Sequence, residues 1–339
     1  GRGHSLLAGP GPPPPGASML RTVLKLFAGA VLLLLLAGGG VFLWASAESG
    51  DRLSRPYEVH DEPFPVPFPL EEEEAAGMTE EEARAAALAA AVERGRHLVA
   101  SRYVCVDCHG EDLAGGVMID AFPMGRVLGP NITGGEGSRT VGYTASDWDR
   151  IVRHGVRADG RPALMPSVDF RAMSDQELSD IVAYVGSLPP VDAVVPEPKL
   201  GPLGRFLLAT GRIPLSADRL ADQDIHAALP PVAEVSVEFG AHLAAVCAGC
   251  HGIELSGGPI PGGDPAWAVA RNLTPHEEGL AAWTFEDFER ALREGVRPDG
   301  AALATPMDFV VPYTSQMTDV ELSAMWAYLR TLEPRPTGS

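Results

Sequence analysis

The pentapeptide Cys-x-x-Cys-His occurs twice, at residues 105–109 and 247–251, and the two copies use all four cysteines of the 339-residue chain. This constrains the chain more than any other feature, because the spacing is the signature of covalent c-type haem attachment. Two thiols held two residues apart add across the two vinyl groups of one porphyrin. The adjoining histidine then reaches the iron as proximal ligand.

Other cysteine chemistries fit less well. A structural zinc site would have to join pairs that lie 142 residues apart and each carry their own histidine. A thioredoxin-like redox pair calls for a βαβ setting that neither motif has. Two disulfides would join neighbours too close in sequence to staple a fold.

The motifs head two halves of an internal repeat, the next thing to establish in any chain. After the first come Gly-Pro-Asn131-Ile-Thr133, Tyr143-Thr-Ala-Ser-Asp-Trp148 and Gly155-Val-Arg-Ala-Asp159-Gly160. After the second come Ala-Arg-Asn272-Leu-Thr274, Trp283-Thr-Phe-Glu-Asp-Phe288 and Gly295-Val-Arg-Pro-Asp299-Gly300. Each half closes on apolar residues at helical spacing: Leu178, Ile181, Val182, Val185 and Leu188, then Leu322, Met325, Trp326 and Leu329. The order expected in both is helix, haem motif, loop, short helix, Asp-Gly turn, methionine loop, terminal helix.

A sixth iron ligand is sought among nine methionines. Met165 stands 56 residues beyond His109, and Met307 stands 56 beyond His251. The rivals Met173 and Met317 follow by 64 and 66 residues and directly precede the capping boxes Ser174-Asp-Gln-Glu177 and Thr318-Asp-Val-Glu321. A methionine there packs more often than it ligates. The equal spacing, with Pro166 and Pro306 alongside, selects Met165 and Met307. Core packing is the alternative role for both. His154 and His276, candidates for bis-histidine ligation, occupy unrelated places in the halves and read as surface residues.

Each half resembles a class I cytochrome c domain. The tandem resembles membrane-bound dihaem cytochromes c of bacterial respiratory chains and the cytochrome subunits of membrane alcohol and gluconate dehydrogenases. The resemblance covers residues 79–190 and 233–335. It implies an early helix crossing the terminal helix over the haem. It implies Cys105, Cys108, His109 and Met165 at one iron, and Cys247, Cys250, His251 and Met307 at the other. It also implies a backbone carbonyl, from Pro130 in the first half, orienting the proximal imidazole. The second half departs from the first, with Arg271 in place of Pro130, Asp308 in place of Pro166, and a methionine seven rather than five residues past its Asp-Gly turn. Asn131-Ile-Thr133 and Asn272-Leu-Thr274 match glycosylation sequons but read here as loop structure beside the haem.

Two such domains are of ordinary domain size, and 38 glycines with 31 prolines suit a loop-rich architecture. The expected fold is all-α: two tandem cytochrome c domains preceded by one transmembrane helix. Residues 26–45 are uncharged and mostly apolar, preceded by Arg21 and Lys25 and closed by Trp44. That is long enough to span a bilayer with the positive flank inside. A cleaved signal peptide is the alternative, since Ala45-Ser-Ala47 resembles a cleavage site, although the apolar stretch is long for one. Residues 1–18 read as a disordered tail or mis-assigned start, 19–47 as the anchor, 48–78 as a Pro/Glu-rich tether and extended spacer, and 191–232 as an interdomain linker. Phe64, Val66 and Phe68 alternate with prolines and suit local docking, and the apolar stretch 200–208 suits packing on one domain.

The net charge of −19 excludes nucleic acid and adhesion to an anionic lipid surface. It suits solubility, or docking on a basic patch of a redox partner. The expected cofactors are two covalently bound haem c groups. The expected function is electron transfer on the outer face of a bacterial cytoplasmic membrane, in a respiratory or photosynthetic chain. The donor would be a dehydrogenase or quinol-oxidising complex and the acceptor an oxidase, reductase or reaction centre. The alternatives are a cytochrome subunit fixed in a dehydrogenase complex, or a dihaem peroxidase, which would need an open iron position.

Overall fold

A computed structural model of the chain describes residues 17–59, 63–224, 227–264 and 266–339. The reading of residues 1–18 thus lies almost wholly outside the described residues. The chain is mostly helical. Helix α1, Ala17–Ser54, carries the apolar run with its side chains exposed along most of its length. Residues Met19–Ser54 are long and apolar enough to cross a membrane.

Two helical units follow. The first contains α2 (Glu80–His97), a π-helical turn (Leu98–Arg102), α3 (Cys105–His109), α4 (Ala145–Val152), a 3-10 turn (Ser167–Asp169) and α5 (Asp175–Ser187). The linker contributes α6 (Pro202–Ala209) and α7 (Ala217–Leu220). The second unit contains α8 (Val237–Ala244), α9 (Ala248–His251), α10 (Phe285–Glu294), a 3-10 turn (Met307–Phe309), α11 (Val311–Thr314) and α12 (Asp319–Leu329). The expected order of elements recurs in both halves. Both terminal helices start with the expected capping box, in which the Ser174 or Thr318 hydroxyl accepts from the amide of Glu177 or Glu321 and the glutamate accepts from the cap amide.

In each unit the early helix crosses the terminal one at a glycine. A Cβ on Gly95 would lie 2.0 Å from the Asp180 carbonyl oxygen, and one on Gly240 would lie 1.9 Å from that of Ala324. Around Gly95, Ala87 and Ala91 extend a buried stripe of small residues that lets α2 and α5 meet backbone to backbone. Below each crossing lies a separate core. One holds Leu98, Trp148, Phe170, Met173 and Leu178, and the other Phe239, Leu255, Phe288, Met317 and Leu322.

An all-α fold is expected from the sequence, yet a small antiparallel sheet is present. Strands β1 (Gly116–Ala121) and β2 (Gly125–Gly129) form a hairpin, with β3 (Lys199–Leu200) on its open edge. The third strand lies some seventy residues downstream in the linker, and the hairpin ladder shifts register between Val117 and Ile119. A pairing so short and non-local leaves no alternation to read.

The tether and linker are folded onto the first unit rather than extended. Phe64 is buried in its core with Phe68 beside it, and Ser179 donates to the Pro65 carbonyl at 2.7 Å. Tyr57 donates its amide to Gly160 O at 2.9 Å. In the linker, α6 packs between α1 and the sheet, and α7 covers Val156. The spacer reading therefore holds least at its prolines, where alternating aromatics supply the apolar area that docks them.

Candidate haem sites

Both attachment turns place cysteines and histidine against an apolar interior. In the first unit, Cys105, Cys108 and His109 line one cavity together with Val127, Trp148, Met165 and Met173. His109 Nδ1 donates to Pro130 O at 2.8 Å, the contact the resemblance implied. A carbonyl can only accept, so in the neutral ring the proton is on Nδ1 and the lone pair is on Nε2, as a metal-binding imidazole requires. Burial pushes the pKa of His109 down and so favours that neutral form.

His251 repeats the arrangement, with Nδ1 donating to Arg271 O at 2.7 Å and its pKa also lowered by burial. The replacement of proline by arginine at this point is thus immaterial, because the contact uses the backbone carbonyl. Cys247 and Met307 border the second core, and Met317 lies inside it.

The thiols are not activated. Burial raises Cys105 and Cys247 to about 12 and Cys108 to about 11. A redox-active Cys-x-x-Cys needs a lowered pKa, so the thioredoxin-like alternative loses its chemical basis. Among the described residues no group of three or more His, Cys, Asp or Glu could hold a metal ion, which removes the shared zinc site. The donor set fits c-type haem instead: paired thiols, an oriented neutral imidazole and, in the first unit, a methionine lining the same apolar cavity.

The rival methionines lie within the two cores, and Met173 also lines the first cavity. Met173 and Met317 are buried, and their carbonyls accept from Arg153 and Arg293 at 3.2 and 3.0 Å. Each arginine also pairs with a carboxylate four residues earlier on its own helix, Asp149 or Glu289, and with Asp175 or Asp319 at the start of the terminal helix. This doubled clamp fixes the residues before both capping boxes. His154 is not a surface residue as expected. It is fully buried, its Nδ1 donating to Leu220 O at 2.6 Å, so it serves the linker contact.

The sequons are structural. Asn131 and Asn272 are buried; each amide donates to a later carbonyl, Val191 O at 2.8 Å or Arg335 O at 2.6 Å. Thr133 and Thr274 close the turn back onto the asparagine oxygens. Each unit thereby ties the loop after its haem motif to the segment that leaves its terminal helix.

Several contacts are not foreseen by the sequence. Ser216 of the linker donates to the Met165 carbonyl at 2.9 Å, holding the methionine loop from outside the domain. The units also meet at their motifs. Tyr313 donates to Asp107, inside the first Cys-x-x-Cys, at 3.0 Å, and Asp169 lies against Gly249, inside the second. Burial there raises Asp169 to about 6.

Residues 90–185 match the family described as cytochrome c oxidase, cbb3-type, subunit III, and residues 237–333 match the family cytochrome c. The cytochrome c subunit of the quinone alcohol dehydrogenase of Gluconacetobacter polyoxogenes is 30% identical over 275 residues, covering 73% of this chain and 57% of that protein. The fructose dehydrogenase cytochrome subunit of Gluconobacter japonicus is 28% identical over 272 residues, 71% of this chain and 52% of that one. A diheme cytochrome c-type protein of Cereibacter sphaeroides is 28% identical over 253 residues, 67% of this chain and 81% of its own length. The chain thus spans little more than half the length of the dehydrogenase subunits it matches.

Proposed function

Since this chain is a dihaem c-type cytochrome with two covalently bound haem c groups, we propose that it relays single electrons at the outer face of a bacterial cytoplasmic membrane, from a dehydrogenase to an oxidase, reductase or reaction centre. The observation that carries this reading is the matched pair of imidazoles, His109 and His251, each fixed through Nδ1 by a backbone carbonyl with Nε2 left for iron. Met165, and by the repeat Met307, would supply the second ligand to each haem iron. A haem held in that way would exchange electrons and offer no position to a substrate.

The chain's own residues keep that chemistry confined. The carbonyls of Pro130 and Arg271 orient the two imidazoles. Ser216 and the Asn131 and Asn272 turns hold the loops in place. The apolar linings exclude water from the cavity walls. Attachment is through α1, whose helix runs unbroken through Ala45-Ser-Ala47 and buries Ala45 and Ser49 under α6. That packing supports an anchor that stays in place over a cleaved signal peptide.

The names of the relatives favour a second reading, a cytochrome subunit resident in a membrane dehydrogenase. Mild solubilisation of membranes and purification through a tag on this chain separates the two. Haem reduction by an alcohol or sugar acid in the purified material, with a second polypeptide present, identifies the subunit. A lone chain that is reduced only by added donors identifies the carrier. Sustained peroxide consumption by the lone chain would overturn both.

A further inference from the structure

The geometry points to a second membrane contact: we infer that helix α6 and the tip of the β1–β2 hairpin dip into the outer leaflet beside α1, so that the first haem unit rests on the lipid at a fixed height and orientation. This rests on the reading of α1 as a membrane span.

Four observations lead there. First, α6 is built with two unlike faces. Gly204 and Leu208 are buried against the body, while Pro202, Leu203 and Phe206 are exposed on one side. The only charge in the helix, Arg205, is turned away and donates to Leu200 O at 3.0 Å. An exposed helical face with large apolar residues and no charge suits lipid better than water.

Second, α6 is docked on α1 where the apolar run ends. Phe206 meets Trp44 edge to face, with centroids 6.5 Å apart. Arg52 donates to the Leu208 carbonyl and pairs with Asp218. Trp44 and Arg52 are eight residues apart, about 12 Å along a helix. Contacts in that order make α6 run outward beside α1, with its N-terminal end nearer the membrane. Trp44 itself is the interfacial type of aromatic expected at this level.

Third, the hairpin tip is fastened to that membrane-side end. The carbonyls of Met124 and Pro123 accept from the amides of Gly201 at 2.8 Å and Leu203 at 3.2 Å. Next to them, Phe122 is 90% exposed, more than any other large apolar residue among the described residues. A phenyl ring held out at the tip of a pinned loop costs hydration free energy in water and gains it in acyl chains.

Fourth, the Phe206–Trp44 contact joins this surface to the exposed apolar run of α1 at Val41, Phe42 and Leu43, which selects lipid as the occupant over a separate protein partner. The strongly acidic chain gives no electrostatic reason to approach an anionic leaflet, so the contact is apolar. It forms beside a helix that already holds the chain at the membrane, and the cost of bringing the surface there is met by α1.

The test uses the full chain, haem-loaded, in phosphatidylcholine vesicles. Its four native cysteines are consumed in attachment, so a nitroxide label goes to one introduced cysteine. The positions are Phe122→Cys and Phe206→Cys for the inference, Leu33→Cys for the span, and Glu136→Cys as a water-exposed control. Collision with dissolved oxygen, which concentrates in acyl chains, is compared with collision with a water-soluble nickel chelate. The expected result is an oxygen-to-nickel ratio several-fold above the control at residues 122, 206 and 33. A high ratio at 33 with control-like ratios at 122 and 206 would overturn the inference and leave the anchor standing. A control-like ratio at 33 would overturn the anchor and the inference together. Shielding of 122 and 206 from both reagents would assign the surface to protein contact and overturn the inference as well.

Discussion

His97 of the first unit donates through Nε2 to Glu321 of the second at 2.9 Å, and the relation is reciprocal: His242 of the second donates to Glu177 of the first at 2.9 Å. Both glutamates close capping boxes as the third residues of their helices, so each terminal helix begins on a carboxylate that also receives the other unit's histidine. Each histidine stands two residues after a crossing glycine, in Gly95-Arg-His97 and Gly240-Ala-His242. The two units are therefore docked about an approximate two-fold axis. Arg102 breaks the symmetry. It comes from the π-helical turn, where the second unit has a 3-10 turn at Ala245–Cys247, bridges both glutamates, and stacks over Phe239 at 5.2 Å.

That cluster predicts an acid-sensitive interface. Burial alone would raise the pKa of Glu321, but His97, Arg102 and the Thr318 amide bring it down to about 2. Glu177 is likewise held low by His242, the Ser174 amide and Arg102 against its burial. A carboxyl whose folded pKa is depressed adds stability above its unfolded value and loses it as pH falls through the folded one. Glu321→Gln should cost about 2 kcal/mol at neutral pH, the scale of a buried hydrogen bond to a charged group. The gap from the parent should narrow below pH 4.5 and close towards pH 2. Chemical denaturation at a series of pH values reads this directly, and a gap that does not vary with pH would show the carboxylate charge to be irrelevant.

Arg102→Ala should cost more, about 3 kcal/mol, because it leaves two buried carboxylates short of their cation. The expected signature is an earlier, separated unfolding step in calorimetry and a larger radius in solution scattering. Haem content should stay at two per chain by pyridine haemochrome assay.

Met165→Ala should remove about half of the weak long-wavelength band that reports sulfur bound to ferric iron, and should lower one of two reduction potentials, since a Met/His pair raises the potential. The double variant with Met307→Ala should lose the band entirely. A surviving band would move the ligand assignment to Met173 or Met317, whose backbone carbonyls the two arginines hold.

Ser216→Ala removes one hydrogen bond to the Met165 carbonyl, worth about 1 kcal/mol. The methionine band of the first site should then fade at lower temperature than in the parent, while the band of the second persists as an internal control. Equal fading at both sites would show that the linker does not hold that loop.

Most of what the sequence made legible was local. The motif spacing, the repeat, both capping boxes and the apolar faces of α5 and α12 lie within short windows, and the structure has each of them. The Pro130 carbonyl came from resemblance, and its equivalence to Arg271 was hidden because the side chain, not the backbone, is what a sequence displays. His154 was misread because burial depends on Leu220, 66 residues on. Likewise the partners of His97 and Ser216 lie 224 and 51 residues away and follow from how the units dock and how the linker folds back on the first, which no local pattern encodes.

The surface charge leads to a kinetic prediction. With a net charge of −19, before any haem propionates are counted, the chain sits in a negative potential that concentrates cations and repels anions. Reduced protein should therefore pass electrons faster to a cationic basic protein or a hexaammine complex than to ferricyanide, once driving force is allowed for. Screening shortens the reach of this field from about 10 Å at 0.1 M salt to about 3 Å at 1 M. The rate with the cationic acceptor should fall and that with the anionic one should rise until the two converge. Stopped-flow oxidation across a salt series measures both arms on the same protein. Rates that ignore salt would mean that the acidic residues, many of them in the stretch 71–82, lie too far from the electron exit to steer a partner, and would leave solubility as their role.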